Sequence, residues 1–284
     1  MNHPQNQPDG MLTTSGTSEL VFVKLGGSLI TDKTRPFAVV HQNVERLASE
    51  IRQALDERPE LQLILGHGSG SFGHWAAKPY GTRYGVHTES QWRGFAHVSA
   101  AANRLNQIVT DVFLDAGVPV LSIQPSATAL CHDGTLVQFD SAVLLRAVGR
   151  RLVPLLYGDV SWDTVRGGTI VSTEELFFYL AQRLHPTRIL LLGETPGVLD
   201  NAGQVIPSIT LASLPHVREV LKGSRGVDVT GGMESKVLSM LDLVTVLSQT
   251  VVFVLGGNEP GLVRDAILNV HFIQGTRIER SSTQ

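Results

Sequence analysis

The sequence predicts an α/β fold built on a mainly parallel sheet covered by helices. Three observations carry that expectation. Apolar runs of strand length alternate with longer segments of helical period through the first part of the chain. Several of those runs empty directly into glycine-rich turns. And 284 residues, 42% hydrophobic and 17% charged, suffice for one large domain or two lobes sharing a sheet.

Each element has a local reason. Residues 20–24 are a short apolar strand ending in Gly26-Gly27. Residues 43–58 place Val44, Leu47, Ile51 and Leu55 at helical spacing, and Pro59 stops the helix. Residues 61–65 read as a buried strand, followed by Gly66-His67-Gly68-Ser69-Gly70-Ser71-Phe72-Gly73-His74. Residues 78–94 are polar with no clear period and read as an irregular lid or hairpin. A long helix is expected over 95–116, closed by Gly117, then strands over 118–123 and 152–157, the latter leaving through Gly158-Asp159. Further on, 173–184 and 236–247 read as helices, and 188–192 and 251–255 as core strands, the last leaving through Gly256-Gly257-Asn258. A soft boundary near His185-Pro186 divides an expected lobe 19–185 from a second, 186–284.

Composition excludes several classes. A net charge of −3 is no electrostatic footprint for nucleic acid. No apolar run reaches transmembrane length. Residues 1–18 are polar, lack the basic start and apolar core of a signal peptide, and read as a flexible tail. Cys131 is the only cysteine, so no intrachain disulfide forms, and a reducing cytoplasm is the simplest setting. It reads as a packing residue rather than a nucleophile.

Three glycine-rich loops carry the chemistry. Backbone N–H groups of such loops bind anions, because glycine lets the chain approach closely. Lys24-Leu25-Gly26-Gly27-Ser28 follows the first strand, with Thr31-Asp32-Lys33 adding a second cation. The loop from Gly68 through Ser69 and Gly70 ends at His74, a side chain able to hold a proton beside an anion. Thr230-Gly231-Gly232-Met233-Glu234-Ser235-Lys236 opens a helix, with Lys236 within its first turns, where a lysine opposes the helix dipole unless an anion lies between them. Any one of these alone reads more readily as an ordinary turn or cap. Together they describe two phosphate-bearing ligands brought side by side, as phosphoryl transfer requires. The stretch Gly68–Gly73 also fits the dinucleotide pattern G-x-G-x-x-G, but the acidic residue expected on a following strand is missing; only Glu89 lies near, in a polar segment. Neither a Walker A loop nor the protein-kinase motifs occur, and no metal-ligand cluster stands out.

In this order and spacing, the motifs resemble the amino acid kinase family, and within it the isopentenyl phosphate kinase subgroup and the related fosfomycin kinases. The residues that carry the resemblance are Lys24 to Ser28 with Lys33, His67 to His74, Ser122-Ile123-Gln124-Pro125-Ser126, Gly158-Asp159-Val160, and Asp228 to Met233 with Lys236. The resemblance implies an open three-layer αβα sandwich with a mainly parallel central sheet. It implies that 19–185 binds the phosphoryl acceptor and 186–284 binds ATP. Lys24, Gly26, Gly27, Ser28, Lys33, Gly231, Gly232 and Lys236 would face the ATP phosphates, with Lys24, Lys33, Lys236 and His74 as the catalytic groups. Gly68, Ser69, Gly70, His74, Ser172 and Thr173 would meet the acceptor.

Two departures from the family pattern stand out. Ser172-Thr173-Glu174-Glu175 replaces a Ser-Gly-Asp-Asp run whose aspartate orients the active-site lysines, so Glu174 would have to do this with a longer reach. Gly193-Glu194-Thr195-Pro196-Gly197-Val198 replaces the loop bordering the nucleotide base, with Gly197 kept. The implied activity is ATP-dependent, Mg²⁺-assisted phosphorylation of isopentenyl phosphate to isopentenyl diphosphate by a homodimer. A phosphonate kinase of the same fold and a non-catalytic metabolite sensor are the alternatives. The acceptor's alkenyl tail is expected against Ala76, Ala77, Tyr80, Val86 and Phe95.

Overall fold

The computed structural model describes residues 19–223 and 233–280. The expected tail 1–18 and the glycines at 231 and 232 lie outside the described residues. In chain order the elements are β1 (Leu20–Leu25), α1 (Gly27–Ile30), α2 (His41–Glu57), β2 (Gln62–His67), α3 (Gly70–Ala77), α4 (Glu89–Asp115), β3 (Val120–Ser122), β4 (Leu130–His132), β5 (Thr135–Gln138), α5 (Ala142–Val148), β6 (Val153–Tyr157), β7 (Asp159–Asp163), β8 (Gly167–Val171), α6 (Thr173–Leu184), β9 (Arg188–Gly193), β10 (Ser208–Ile209), α7 (Leu214–Gly223), α8 (Met233–Val246), β11 (Val251–Gly256), α9 (Leu262–Leu268) and β12 (Thr276–Ile278).

The main sheet runs β10-β12-β11-β9-β1-β2-β6-β3, parallel except where β11 meets β12. Its central strands β11, β9, β1, β2 and β6 carry buried apolar residues on both faces, as a sheet covered on both sides demands. Val21, Val23 and Leu25 pack with α2, α4 and α9, while Phe22 packs with α6 and α8. Leu63 and Leu65 against Ile64, and Phe253 and Leu255 against Val252 and Val254, repeat the split. The result is the three-layer arrangement, with both halves of the chain hydrogen-bonded through β1 and β9 into one sheet. From β1 the strands β2, β6 and β3 lie to one side and β9 and β11 to the other. The switch in direction falls at the carboxyl end of β1, where open α/β sheets bind ligands.

Two expectations change. Residues 78–94 are not irregular throughout: α4 starts at Glu89, six residues before the expected Phe95. Thr88 accepts from Gln91 N–H and the Gln91 side chain reaches back to Thr88 N–H, a capping box that polar composition had masked. And Gly158-Asp159 does not leave the sheet region. The chain continues into a second sheet, β5-β4-β7-β8, whose strands have too few apolar residues in alternation to stand out.

Candidate active site

The outward-alternating position after Phe22 on β1 is Lys24, so its side chain emerges on the α6 face. Phe22 and Phe177 touch there with ring centroids 5.0 Å apart. One helical step back along α6, at i−3, Glu174 meets Lys24, Nζ to Oε1 at 2.6 Å. Strand period and helix period thus align a ring pair and an ion pair as successive rungs. Helix α6 comes this close because β2 carries Gly66 opposite Lys24; a Cβ at Gly66 would collide with the Thr173 methyl and meet the Phe177 ring at 3.0 Å.

Burial works to raise the Glu174 carboxyl, but the charge of Lys24, its hydrogen bond and the charge of Lys236 hold it below the ordinary carboxylate range. The structure therefore brings Lys24 from β1, Glu174 from α6 and Lys236 from α8 within one electrostatic neighbourhood.

The first two glycine loops abut. A Cβ on Gly27 would lie 2.5 Å from Gly70 N, and one on Gly68 would lie 2.9 Å from Gly27 N, so backbone touches backbone between the β1 and β2 exits. Gly70 has φ +48°, a left-handed conformation suited to glycine, at the start of α3. Thr31 bolts the loops together, its hydroxyl donating to Gly27 O at 2.7 Å and accepting from Ser71 N at 2.9 Å. Gly26 N–H is committed to Leu192 O at 2.8 Å, which ties the β1 turn to β9. Ser28 lies half-buried in α1, and Ser69 stands at the amino end of α3 with no side-chain capping bond.

His74 on α3 and Lys33 in the turn after α1 are both exposed, and neither side chain has a hydrogen-bond or ion-pair partner among the described residues. His67, by contrast, is wholly buried. Nδ1 lies 3.1 Å from Gly68 O, Nε2 lies 3.2 Å from Asn106 Oδ1, and the ring stacks on Tyr157 at 5.7 Å. Burial, helped by the charge of Lys24, pushes its pKa down to about 4.

Other expected site residues are occupied structurally. The Ser172 hydroxyl accepts from Glu175 N–H and its own N–H donates to Glu175 Oε2 at 2.6 Å, a second capping box. Thr173 is buried and its hydroxyl donates to His67 O at 2.6 Å. Their side chains thus serve the scaffold of the loops. Gly197 is buried against Thr276 and Val205, where a Cβ would sit 2.8 Å from either, and the next N–H, of Val198, donates to Thr276 Oγ1. Of the expected tail contacts, Ala76, Ala77, Val86 and Phe95 gather with Val98, Val160, Trp92 and Ile170 in one apolar cluster, while Tyr80 turns to Gly94 and His97. Asp159, part of the Gly158-Asp159-Val160 motif, is buried, and it accepts from Ser126 N and Val160 N, fixing the turn after β3. Arg83 carried no sequence signal at all, because its partner Glu175 lies 92 residues away.

Residues 19–255 match the Amino acid kinase family. The chain belongs to that family. It is 34% identical to isopentenyl phosphate kinase of Methanocaldococcus jannaschii, over 92% of this chain and 99% of the relative. It is 38% identical to isopentenyl phosphate kinase of Haloferax volcanii, over 79% of this chain and 88% of the relative. Among solved structures, an isopentenyl phosphate kinase superposes with TM-score 0.72 at 28% identity, covering 92% of this chain and all of that one. This amino acid kinase is thus a phosphotransferase similar along its whole folded length to enzymes that use a phosphate as acceptor. Among the described residues no helix is long and apolar enough to cross a membrane.

Proposed function

We propose that this kinase transfers the γ-phosphoryl group of ATP to isopentenyl phosphate, forming isopentenyl diphosphate. The observation that carries the reading is the abutment of two anion loops beside Lys24, in a chain whose near full-length relatives are isopentenyl phosphate kinases. Backbone contact between Gly27 and Gly68 sets two phosphates next to one another with no side chain between. An acceptor phosphate oxygen attacks the γ-phosphorus, the bond to the β-bridging oxygen breaks, and ADP leaves with that electron pair. The attacking oxygen is already anionic, so no general base is needed.

Lys24, Lys33 and Lys236 neutralise the charge that moves from acceptor to leaving group, with the backbone N–H groups of Gly27 and Ser28 facing the ATP phosphates; Gly26 gives its N–H to Leu192 O instead, and Gly231 and Gly232 lie outside the described residues. Ser69, Gly70 and His74 hold the acceptor phosphate, while Gly68, whose N–H is given to Leu25 O at 3.0 Å, serves the close approach of the two loops. Glu174 keeps Lys24 aimed. Mg²⁺ would enter this site as a companion of the nucleotide, beside the lysines that face the phosphates. A hard cation that keeps its waters and binds phosphate oxygens suits such a site, and it would add charge neutralisation there. The reading extends to a homodimer in the cytoplasm, with residues 19–185 as the acceptor lobe and 186–284 as the ATP lobe; light scattering checks the dimer.

The test is ADP release measured with isopentenyl phosphate, dimethylallyl phosphate, fosfomycin and small amino acids. Isopentenyl phosphate is expected to lead. In His74→Ala, turnover should fall by on the order of 10²–10³, the cost of losing a donor to a transferring group, with His74→Gln milder because an amide still donates. A folded His74→Ala enzyme with unchanged kinetics removes His74 from the site, and turnover only with fosfomycin replaces the proposed acceptor.

A further inference from the structure

The amino end of α6 sends three consecutive side chains in three directions. Thr173 reaches the His67 carbonyl under the acceptor loop. Glu174 reaches Lys24. Glu175 reaches Arg83, in a 3-10 turn (Thr82–Tyr84) of the segment joining α3 to α4. That last contact is a two-pronged fork, with Arg83 Nη1 and Nη2 at 3.1 and 2.9 Å from the two carboxylate oxygens. Arg83 Nη1 also donates to Ile170 O at 2.6 Å.

The rest of the segment lies along the open edge of β8. Thr169 Oγ1 donates to Arg83 O at 3.0 Å, and Val86 N donates to Arg166 O at 2.9 Å. The segment bends at Gly81 (φ +62°) and Gly85 (φ +139°), conformations that glycine permits. It starts beyond α3, which carries His74, and ends at the Thr88 cap of α4, and its Val86 belongs to the apolar cluster of Phe95 and Val160.

We propose that Arg83 is a positioning residue for phosphoryl transfer: it latches the acceptor-side segment 78–88 to the first turn of α6 and thereby fixes the seat of Glu174 under Lys24. The proposal rests on the kinase reading for its kinetic consequence, but the latch itself is a property of the free protein. Glu175 does two jobs with one carboxylate, bonding Ser172 N–H as a cap and Arg83 as a latch. A shift of that carboxylate moves the turn that presents Glu174. The Arg83 side chain is 46% exposed, and exposed ion pairs add little to global stability. An effect on transfer would therefore stand apart from an effect on folding.

The experiment compares wild type with Arg83→Ala, Glu175→Gln and the double variant. Glutamine still caps Ser172 but lacks the charge that holds the fork. First, hydrogen exchange on the free proteins should quicken in both segments, 78–88 and 172–176, with α2 unchanged. Quickening in 78–88 alone would overturn the proposal whatever the acceptor proves to be. Second, kcat with isopentenyl phosphate should fall by on the order of ten- to a hundredfold, as misplacement of a catalytic group does. The losses should not add in the double variant. Unchanged kcat, additive losses, or a fall explained entirely by a smaller folded fraction would each sink the role. Absence of wild-type turnover with isopentenyl phosphate would instead sink the substrate assignment, and the exchange result would still decide the latch.

Discussion

Lys24 and Glu174 form an ion pair at 2.6 Å with side chains only 11% and 20% exposed, on the rung next to the Phe22–Phe177 ring contact. The pair is thereby held by packing as well as by charge. Glu174 without Lys24 would be a carboxylate short of its main partner in a desolvated place, and burial would push its pKa back up. Lys24→Ala should lower kcat by on the order of 10²–10³ and leave acceptor binding, measured by calorimetry without nucleotide, close to wild type. Glu174→Gln should give a smaller loss, because the amide keeps a hydrogen bond to the ammonium but not the charge. Loss of acceptor binding with normal turnover at saturation would reverse the assignment of the two lobes.

The contact between loops makes a second prediction. Gly27→Ala inserts a Cβ 2.5 Å from Gly70 N, and only backbone lies there to give way. The β1 and β2 exits must separate, and with them the two phosphates. Gly68→Ala meets Gly27 N at 2.9 Å and should be the milder of the two. In steady-state assays Gly27→Ala should lose kcat by on the order of a hundredfold, the penalty of about 1 Å of misplacement. The melting temperature should shift far less than that loss implies. Equal kinetics for wild type and Gly27→Ala would mean that the spacing of the loops does not govern transfer.

Much of this was legible in the sequence, for a physical reason. Strands β1, β2, β9 and β11 are apolar on both faces, so runs such as Val21-Phe22-Val23 and Leu63-Ile64-Leu65 announce themselves, and each ends in glycines. The expected helix 173–184 coincides with α6, and the structure adds its local reason, a cap formed by Ser172 and Glu175 within four residues. What was hidden depends on long-range pairing. The second sheet pairs Asp159–Asp163 with Gly167–Val171 and with Leu130–His132, none of which alternates cleanly. Lys24 and Glu174 are 150 residues apart and no period joins them; only the family resemblance set Glu174 against the active-site lysines, and the fold supplies the contact itself. The buried state of His67 depends on the fold in the same way: its stacking on Tyr157 and its contact with Asn106 join residues far apart in the chain.

His67 gives stability a pH dependence with a defined sign. Its ring, ordinarily titrating near 6.5, is pushed to about 4 by burial and the nearby Lys24 charge. Below pH 6.5 the unfolded chain takes up a proton that the folded ring refuses, so stability falls as pH drops. The fall continues to about pH 4, where the folded ring protonates too, and amounts to about 3 kcal/mol over the window. Urea unfolding at several pH values should show this slope in wild type and a flatter one in His67→Gln, since other groups contribute to both alike. Parallel curves for the two proteins between pH 6.5 and 4 would show that the ring is not held neutral.

On the proposed function, the apolar cluster beyond α3 should limit the acceptor's length. His74 and Ala77 lie one turn apart on α3, and Ala77 packs into the cluster of Val86, Phe95, Val98 and Val160. A five-carbon alkenyl group anchored by its phosphate near His74 would run into this cluster, where each buried CH₂ contributes roughly 0.8 kcal/mol. The far end is closed by rings: Phe95 lies 5.4 Å from Trp92 and 5.5 Å from Trp162. Behind them, an open groove of about 590 Å³ runs along Ala127, Leu130, Phe139 and Trp162. Phe95→Ala should open the wall towards Trp162 and raise kcat/KM for ten-carbon prenyl phosphates relative to isopentenyl phosphate. Because Phe95 is buried, the same change should cost on the order of 3–5 kcal/mol of stability, so the comparison is made as a ratio of two acceptors on one folded sample. An unchanged ratio in Phe95→Ala would place the tail elsewhere.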